Sequence, residues 1–263
     1  MKLHFKKTGE GKPFIILHGL FGSGDNWMSF ARALAEKGFA VYQVDLRNHG
    51  RSPHATAHSL KLMSDDVFEL INEQELKDVI LLGHSMGGKA GMQLAIDHRN
   101  SLSSLIVVDI ATHYYPVHHG DILKGLLSVN IEQLNSREQA EQQLALYIKE
   151  NSSRQFLLKN LYRKANNQFD WRFNLPVLNE QIENIGRAIE SDSPVDLKVL
   201  FVRGENSKYI DPKRFDECKE VFPKAELITI KNAGHWVHAD QPQGLLDAVM
   251  RFLEKPKSLL ALL

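Results

Sequence analysis

The sequence predicts an α/β fold: a mostly parallel sheet flanked by helices and interrupted by one helical insertion. Three observations carry that expectation. Short apolar runs alternate with amphipathic helical patterns along most of the 263 residues. The runs are nearly continuous in Val, Ile, Leu and Phe, as strands covered on both faces of a parallel sheet should be. The alternation breaks off once, from about His113 to Ser193, where no strand pattern is found and glycine is absent from Leu126 to Ile185.

In chain order, PFIILHG (13–19) reads as a strand. NWMSFARALAEKG follows as a helix with Trp27, Phe30, Ala31 and Leu34 on one face, closed by Gly38. FAVYQVDL is the next strand, LMSDDVFELINEQEL a helix, DVILLG a strand, MGGKAGMQLAIDHR a helix and LSSLIVVDI a strand. After the break come DLKVLFVRG (strand), DPKRFDECKEVF (helix), AELITIKN (strand) and QGLLDAVMRFLEK (helix). The break itself reads as several helices, among them SREQAEQQLALYIKEN and SRQFLLKNLYRK. Such an insert is best placed as a cap over one end of the sheet. The expected division is a core of residues 1–112 and 191–263 and a cap of 113–190.

Lys plus Arg equals Asp plus Glu, 32 of each, so no electrostatic footprint suggests nucleic acid or an acidic membrane surface. The expected partner is a small molecule. A single cysteine, Cys218, excludes an internal disulfide and fits a reducing compartment; with Phe215 and Phe222 on one helical face, it reads as core packing. MKLHFKKTGEGK lacks the apolar stretch of a signal peptide, and no apolar run approaches the roughly 20 residues needed to span a bilayer. A cytoplasmic protein without stable membrane insertion is expected. The terminal SLLALL (258–263) reads as a tail packed on the surface or at a homodimer contact.

The sharpest motif is VILLGHSMGGKAGM (79–92), where Gly83-His84-Ser85-Met86-Gly87 joins an apolar strand to a helix. A serine at such a turn is a nucleophile elbow: its backbone is strained, its oxygen stands at the helix N-terminus, and glycines flank it where strand and helix nearly touch. A serine alcohol needs a base held by a third group. Two histidines follow the last strand in AELITIKNAGHWVHADQP, His235 and His238; His235, directly after the glycine turn, is the better placed. A developing oxyanion needs two amide donors. The N–H of Met86 is one, and FIILHGLFGSGDNW offers Leu20 for the other.

Taken together, LHGLFGSGDNW, DLRNHGRS, GHSMGGKA and AGHWVHA resemble the α/β-hydrolase superfamily, and within it the YbfF-like small serine carboxylesterases. The resemblance extends over nearly the whole chain, including WRFNLPVL in the cap. It implies an eight-stranded, mostly parallel sheet, no cofactor, and ester hydrolysis through an acyl-enzyme.

The acid departs from the superfamily's common pattern. Most members carry it in a G-x-x-D turn, and this chain has Gly204-Glu205-Asn206-Ser207, with serine at the aspartate's place. Without a carboxylate, the histidine would lose its tautomer control. LIVVDIAT ends a strand with Asp109, where the YbfF-like group places its acid; Asp211 and Glu205 are the alternatives. The expected mechanism has Ser85 attacking an ester carbonyl, His235 as base, Asp109 orienting it, and the Leu20 and Met86 amides holding the oxyanion. The acyl group is expected under the cap, against Phe21, Phe169, Trp171, Phe173 and Trp236.

DLRNHGRS (45–52) reads as structural, its Asp and Arg bracing the loop beside the active site by an ion pair. His54 and His58, and His113, His118 and His119, read as solvated histidines at the pocket mouth; no metal is expected. Ser85 excludes the dehalogenases and epoxide hydrolases of this fold, which need an aspartate nucleophile. A thioesterase or C–C bond hydrolase on the same triad is the alternative enzyme. A non-catalytic ligand-binding protein is the alternative class, weighed against an intact serine, histidine and oxyanion loop.

Overall fold

The computed structural model describes residues 1–116 and 120–254, so the expectations for His118, His119 and the 258–263 run lie outside it. Its first half contains β1 (Phe5–Thr8), β2 (Lys12–Leu17), α1 (Met28–Ala35), β3 (Phe39–Val44), α2 (Leu60–Glu73), β4 (Val79–His84), α3 (Met86–Asp97) and β5 (Leu102–Val108). Then come α4 (Gly120–Ser128), α5 (Arg137–Ala145), α6 (Asn151–Leu158), β6 (Leu161–Arg163), β7 (Phe169–Trp171), α7 (Leu175–Glu180) and α8 (Ile182–Gly186). The chain returns with β8 (Val199–Gly204), α9 (Phe215–Val221), β9 (Ala225–Ile230), α10 (Val237–Asp240) and α11 (Pro242–Glu254).

The main sheet runs β1-β3-β2-β4-β5-β8-β9, with β1 antiparallel and every other pairing parallel. Among the described residues it has seven strands, not the eight the resemblance implied. Ahead of β1, the backbone of His4 is taken up by the loop after β3: its N–H donates to Ser52 Oγ and its carbonyl accepts from the Asp45 N–H. β1 itself, FKKT, is a half-exposed edge strand that carries no apolar run.

Successive strand residues point to opposite faces, which explains why the central runs are apolar throughout. Ile15 and Leu17 of β2 pack with α2 and α3 on one face; Phe14 and Ile16 pack with α1 and α11 on the other. Cys218 is buried and unpaired, as packing within α9 predicts.

Between β5 and β8 the insert buries a third cluster, which includes Leu126, Leu144, Leu157, Trp171 and Phe173. It is not all-helical. β6 and β7 form a short antiparallel ladder, Leu161 opposite Trp171 and Arg163 opposite Phe169. Three residues are too few to leave a period-2 signal. The two long helices expected here are correspondingly shorter, as α5 ends at Ala145 and α6 stops before β6.

Candidate active site

Ser85 stands at the corner between β4 and α3 with φ 52° and ψ −117°, a conformation that costs a side-chain-bearing residue about 1–3 kcal/mol. Its N–H donates to Val108 O (3.0 Å) and its carbonyl accepts from the Lys89 N–H (3.0 Å). A Cβ on Gly83 would lie 2.2 Å from Gly87 O, and one on Gly87 would lie 2.5 Å from Leu17 O. Both glycines are therefore steric necessities, because helix and strands cross at backbone contact.

Asp109 directly follows β5, in the left-handed region (φ 54°), and is fully buried. A carboxylate there is tolerable only if its oxygens are satisfied. Oδ1 accepts from the Gly204 N–H at 3.0 Å; Oδ2 accepts from the Ser207 hydroxyl and lies 2.8 Å from His235 Nδ1. Facing an acceptor, Nδ1 carries the ring proton and leaves Nε2 as the basic nitrogen. Tyr209 stacks on the His235 ring at 4.0 Å, and burial raises its phenol to about 12. His84 Nε2 donates to the His235 carbonyl at 2.9 Å. Burial, with His235 and His238 nearby, holds the His84 pKa well below the ordinary histidine value.

The rival residues sit elsewhere. Asp211 is exposed and accepts from the Lys213 N–H; Glu205 is exposed and accepts from the Asn232 N–H. His238 stacks on Trp27 at 4.1 Å, and burial lowers its pKa to about 4. Among the described residues its Nδ1 has no partner.

The Leu20 and Met86 N–H groups have no acceptor within the chain among the described residues. The loop bearing Leu20 is bolted down by two buried histidines. Phe21, in the left-handed region, donates its N–H to His49 Nε2 (3.2 Å), while His49 Nδ1 donates to Arg47 O (3.0 Å). His18 Nε2 accepts from the Leu46 N–H (3.0 Å), and its Nδ1 donates to Gly19 O (2.8 Å). Both rings work as one donor and one acceptor, a neutral state that desolvation favours by lowering both pKa values. DLRNHGRS thus braces the loop, though not through an Asp45–Arg47 pair. Asp45 accepts from the Gly24 and Arg51 N–H groups, and Arg47 forms a bidentate pair with Asp66 of α2 at 2.6 and 2.8 Å.

Ser85, His235, Leu20, Phe21 and Trp236 line one cavity of about 190 Å³. Trp171 and Phe173, expected beside the acyl group, are not among its walls; Phe173 packs at 5.1 Å on Phe21, which is, and both rings line a separate groove of about 360 Å³. They stack on each other at 5.3 Å and are buried with Phe169 in the insert's own cluster. His54 lies at the surface near Arg172 O, while His58 is fully buried rather than solvated. Among the described residues no three His, Cys, Asp or Glu side chains converge as a metal site would require.

His84, Ser207 and Tyr209 complete the constellation without any motif that marks their roles. Ser207 is the residue standing where the superfamily's common pattern has its aspartate, and it touches the carboxylate that His235 contacts.

A profile of the family described as alpha/beta hydrolase fold matches residues 12–128. The chain is 39% identical to the sn-1-specific diacylglycerol lipase ABHD11 of Mus musculus, over 91% of this chain and 80% of that protein. It is 35% identical to Esterase YbfF of Escherichia coli (strain K12), over 96% of this chain and 99% of that one. A solved structure described as a marine microorganism esterase superposes with a TM-score of 0.93 at 43% identity, covering 96% of this chain and 99% of its own.

Proposed function

The chain belongs to the α/β-hydrolase superfamily, among relatives named esterases and lipases, and from that premise we propose that it is a serine carboxylesterase acting on small to medium-chain esters. It is a hydrolase in the coarse sense those relatives share. The finer reading rests on one observation: His235 is 2.8 Å from the buried Asp109 and lines the same cavity as Ser85.

In this mechanism Ser85 Oγ attacks the ester carbonyl carbon while His235 Nε2 takes its proton. The carbonyl π pair moves onto oxygen, which the Leu20 and Met86 amides stabilise. Collapse of the tetrahedral intermediate expels the alkoxide, and His235 returns the proton to it. Water then repeats the sequence on the acyl-enzyme, releasing the acid and restoring Ser85. Asp109 holds the imidazole tautomer throughout, and Ser207 and Gly204 hold Asp109. The reaction needs no cofactor, and its partner is a small ester. Among the described residues no helix is long and apolar enough to cross a membrane; we read the enzyme as cytoplasmic.

A fluorophosphonate probe followed by peptide mass spectrometry tests the reading. Labelling is expected at Ser85, abolished by Ser85→Ala. A folded protein that stays unlabelled and cleaves no p-nitrophenyl ester would overturn it.

A further inference from the structure

The Leu20 N–H is one end of a short hydrogen-bonded chain whose other end lies in the insert. Residues 19–22 make a tight turn, closed where the Gly22 N–H donates to the Gly19 carbonyl at 3.0 Å. Phe21, the third residue of that turn, has φ 58°, a value that favours glycine at this place. A trans peptide is planar and points its N–H and its C=O in opposite directions. The Gly19 carbonyl and the Leu20 N–H are therefore one rigid unit, and so are the Phe21 carbonyl and the Gly22 N–H. Asn160, between α6 and β6, donates its Nδ2 to the Phe21 carbonyl at 2.8 Å. From the insert the order is Asn160 amide, Phe21–Gly22 peptide, Gly19–Leu20 peptide, oxyanion.

The slab anchors the same turn through His49, which takes the Phe21 N–H, and His18, which donates to the Gly19 carbonyl. Asn160 is buried and moves with the insert, because its own N–H donates to Leu157 O and its carbonyl accepts from the Arg172 N–H. The Phe21 ring meets Phe173 at 5.1 Å within the insert's cluster. A side-chain-bearing residue keeps a strained backbone only where its surroundings over-determine it. For Phe21 the slab holds the N–H, and the insert holds the carbonyl and the ring. Among the described residues no other donor reaches that carbonyl. Removing the Asn160 amide therefore frees the peptide that aims the Gly22 N–H at Gly19.

Resting on the esterase reading above, in which the Leu20 amide holds the oxyanion, we propose that Asn160 is a positioning residue for the oxyanion hole. Through two peptides it fixes the direction of the Leu20 N–H and makes turnover depend on the seating of the insert. Asn160 is not among the walls of the Ser85 cavity, so its effect passes through the turn and not through contact with the ester. Hydrogen bonds in series also polarise one another, which strengthens the last donor of the chain.

The test is Asn160→Leu, nearly isosteric and without a donor, with Asn160→Ala as a milder second variant that decides the matter should the first not fold. Active sites are counted from the end point of fluorophosphonate labelling at Ser85. On a p-nitrophenyl ester, kcat per site should fall about tenfold to a hundredfold with KM within about twofold, since a misplacement of about 1 Å can cost that much. Acylation and deacylation both pass through an oxyanion, so kcat falls whichever is slower. The Ki of a trifluoromethyl ketone, whose adduct with Ser85 puts an oxyanion in the same place, should rise by the same factor as kcat/KM falls. Leu144→Ala, at a fully buried position of the insert, should lower the melting temperature and leave kcat per site unchanged. If the Asn160 variants lose stability yet keep kcat per site and the ketone's Ki, the amide is only a structural tie and the proposal falls. It falls equally if KM rises while kcat holds. In both cases the wild type still labels at Ser85 and the esterase stands; a wild type that neither labels nor turns over any ester takes both readings down.

Discussion

Every residue of β3 and β4 is buried, whereas in α5, a nine-residue helix of the insert, only Ala140 and Leu144 are. The sheet is a slab whose central strands are covered on both faces. The insert's apolar cluster takes in Phe21 of the loop after β2, and polar contacts tie the insert to the slab as well. Asn160 Nδ2 donates to Phe21 O at 2.8 Å, the Asn174 N–H donates to Asn48 O at 2.9 Å, and Lys89 Nζ gathers carbonyls from both ends of the insert. The candidate chemical groups divide along the same line. Ser85, Asp109 and His235 follow β4, β5 and β9, where packing fixes the backbone; the insert contributes walls such as Ile122, Phe156 and Ile185. Rigid elements hold reacting groups to tolerances that a loosely packed segment does not.

The largest effect expected from breaking this division is on the sheet side. Asp109→Asn should lower kcat by about 10⁴ with little change in fold, as loss of tautomer control does in a serine protease. Asp211→Asn should stay within about twofold of wild type, as for a surface carboxylate. Because the Ser207 hydroxyl already touches Asp109 Oδ2, adding Ser207→Asp to Asp109→Asn should recover about tenfold or more by returning a carboxylate to His235. Steady-state kinetics on a p-nitrophenyl ester measure all four proteins. Collapse on Asp211→Asn alone would move the acid elsewhere.

Next in size is a direct comparison of the two cores. Ile106 and Leu144 are both fully buried, one in the slab and one in the insert. Ile106→Ala should cost about 4 kcal/mol in urea denaturation, since the slab cannot close over the cavity. Leu144→Ala should cost about 2 kcal/mol, because a mostly exposed helix can shift inward. Equal losses would mean that the insert is as tightly packed as the sheet, and the contrast between the regions would fail.

What could be read in the sequence follows the same contrast. Six of the seven main strands are legible: burial on both faces makes the five inner ones nearly continuous in apolar residues, and β9, a partly exposed edge strand, still shows Leu227, Ile228 and Ile230. β1 is not, since FKKT at an edge needs no such run. Ser85, Asp109 and His235 stand out as candidates because each follows a strand end with a residue type that costs something there. The insert is less legible. Trp171 and Phe173 are visible as aromatics, but nothing local says whether they face the sheet or their own helices. Ser207 meets Asp109 across 98 positions, and His84 meets the His235 carbonyl across 151. Contacts of that range have no sequence period.

The smallest expected effect, and the one that separates the regions by charge, is the response to acid. Apart from His113, His118 and His119 at its start, the insert contains no histidine. His18, His49, His58 and His84 are all buried at or beside the carboxyl edge of the sheet, and His238 stacks on Trp27 there. Burial lowers the pKa of each, to about 4 for His58 and His238. Above the unfolded histidine value, near 6.5, folded and unfolded chains bind the same number of protons at these groups. Below it the unfolded chain takes up protons that the folded rings refuse, so stability is lost as pH falls from about 6.5 toward 4. Each such ring adds a slope of roughly 1 kcal/mol per pH unit in that window. Urea midpoints should therefore be flat from pH 7 to 8 and decline below 6.5. His58 Nε2 has no partner among the described residues, so His58→Leu should flatten the decline at little cost near pH 7. A decline unchanged by His58→Leu would assign the acid sensitivity to groups other than His58.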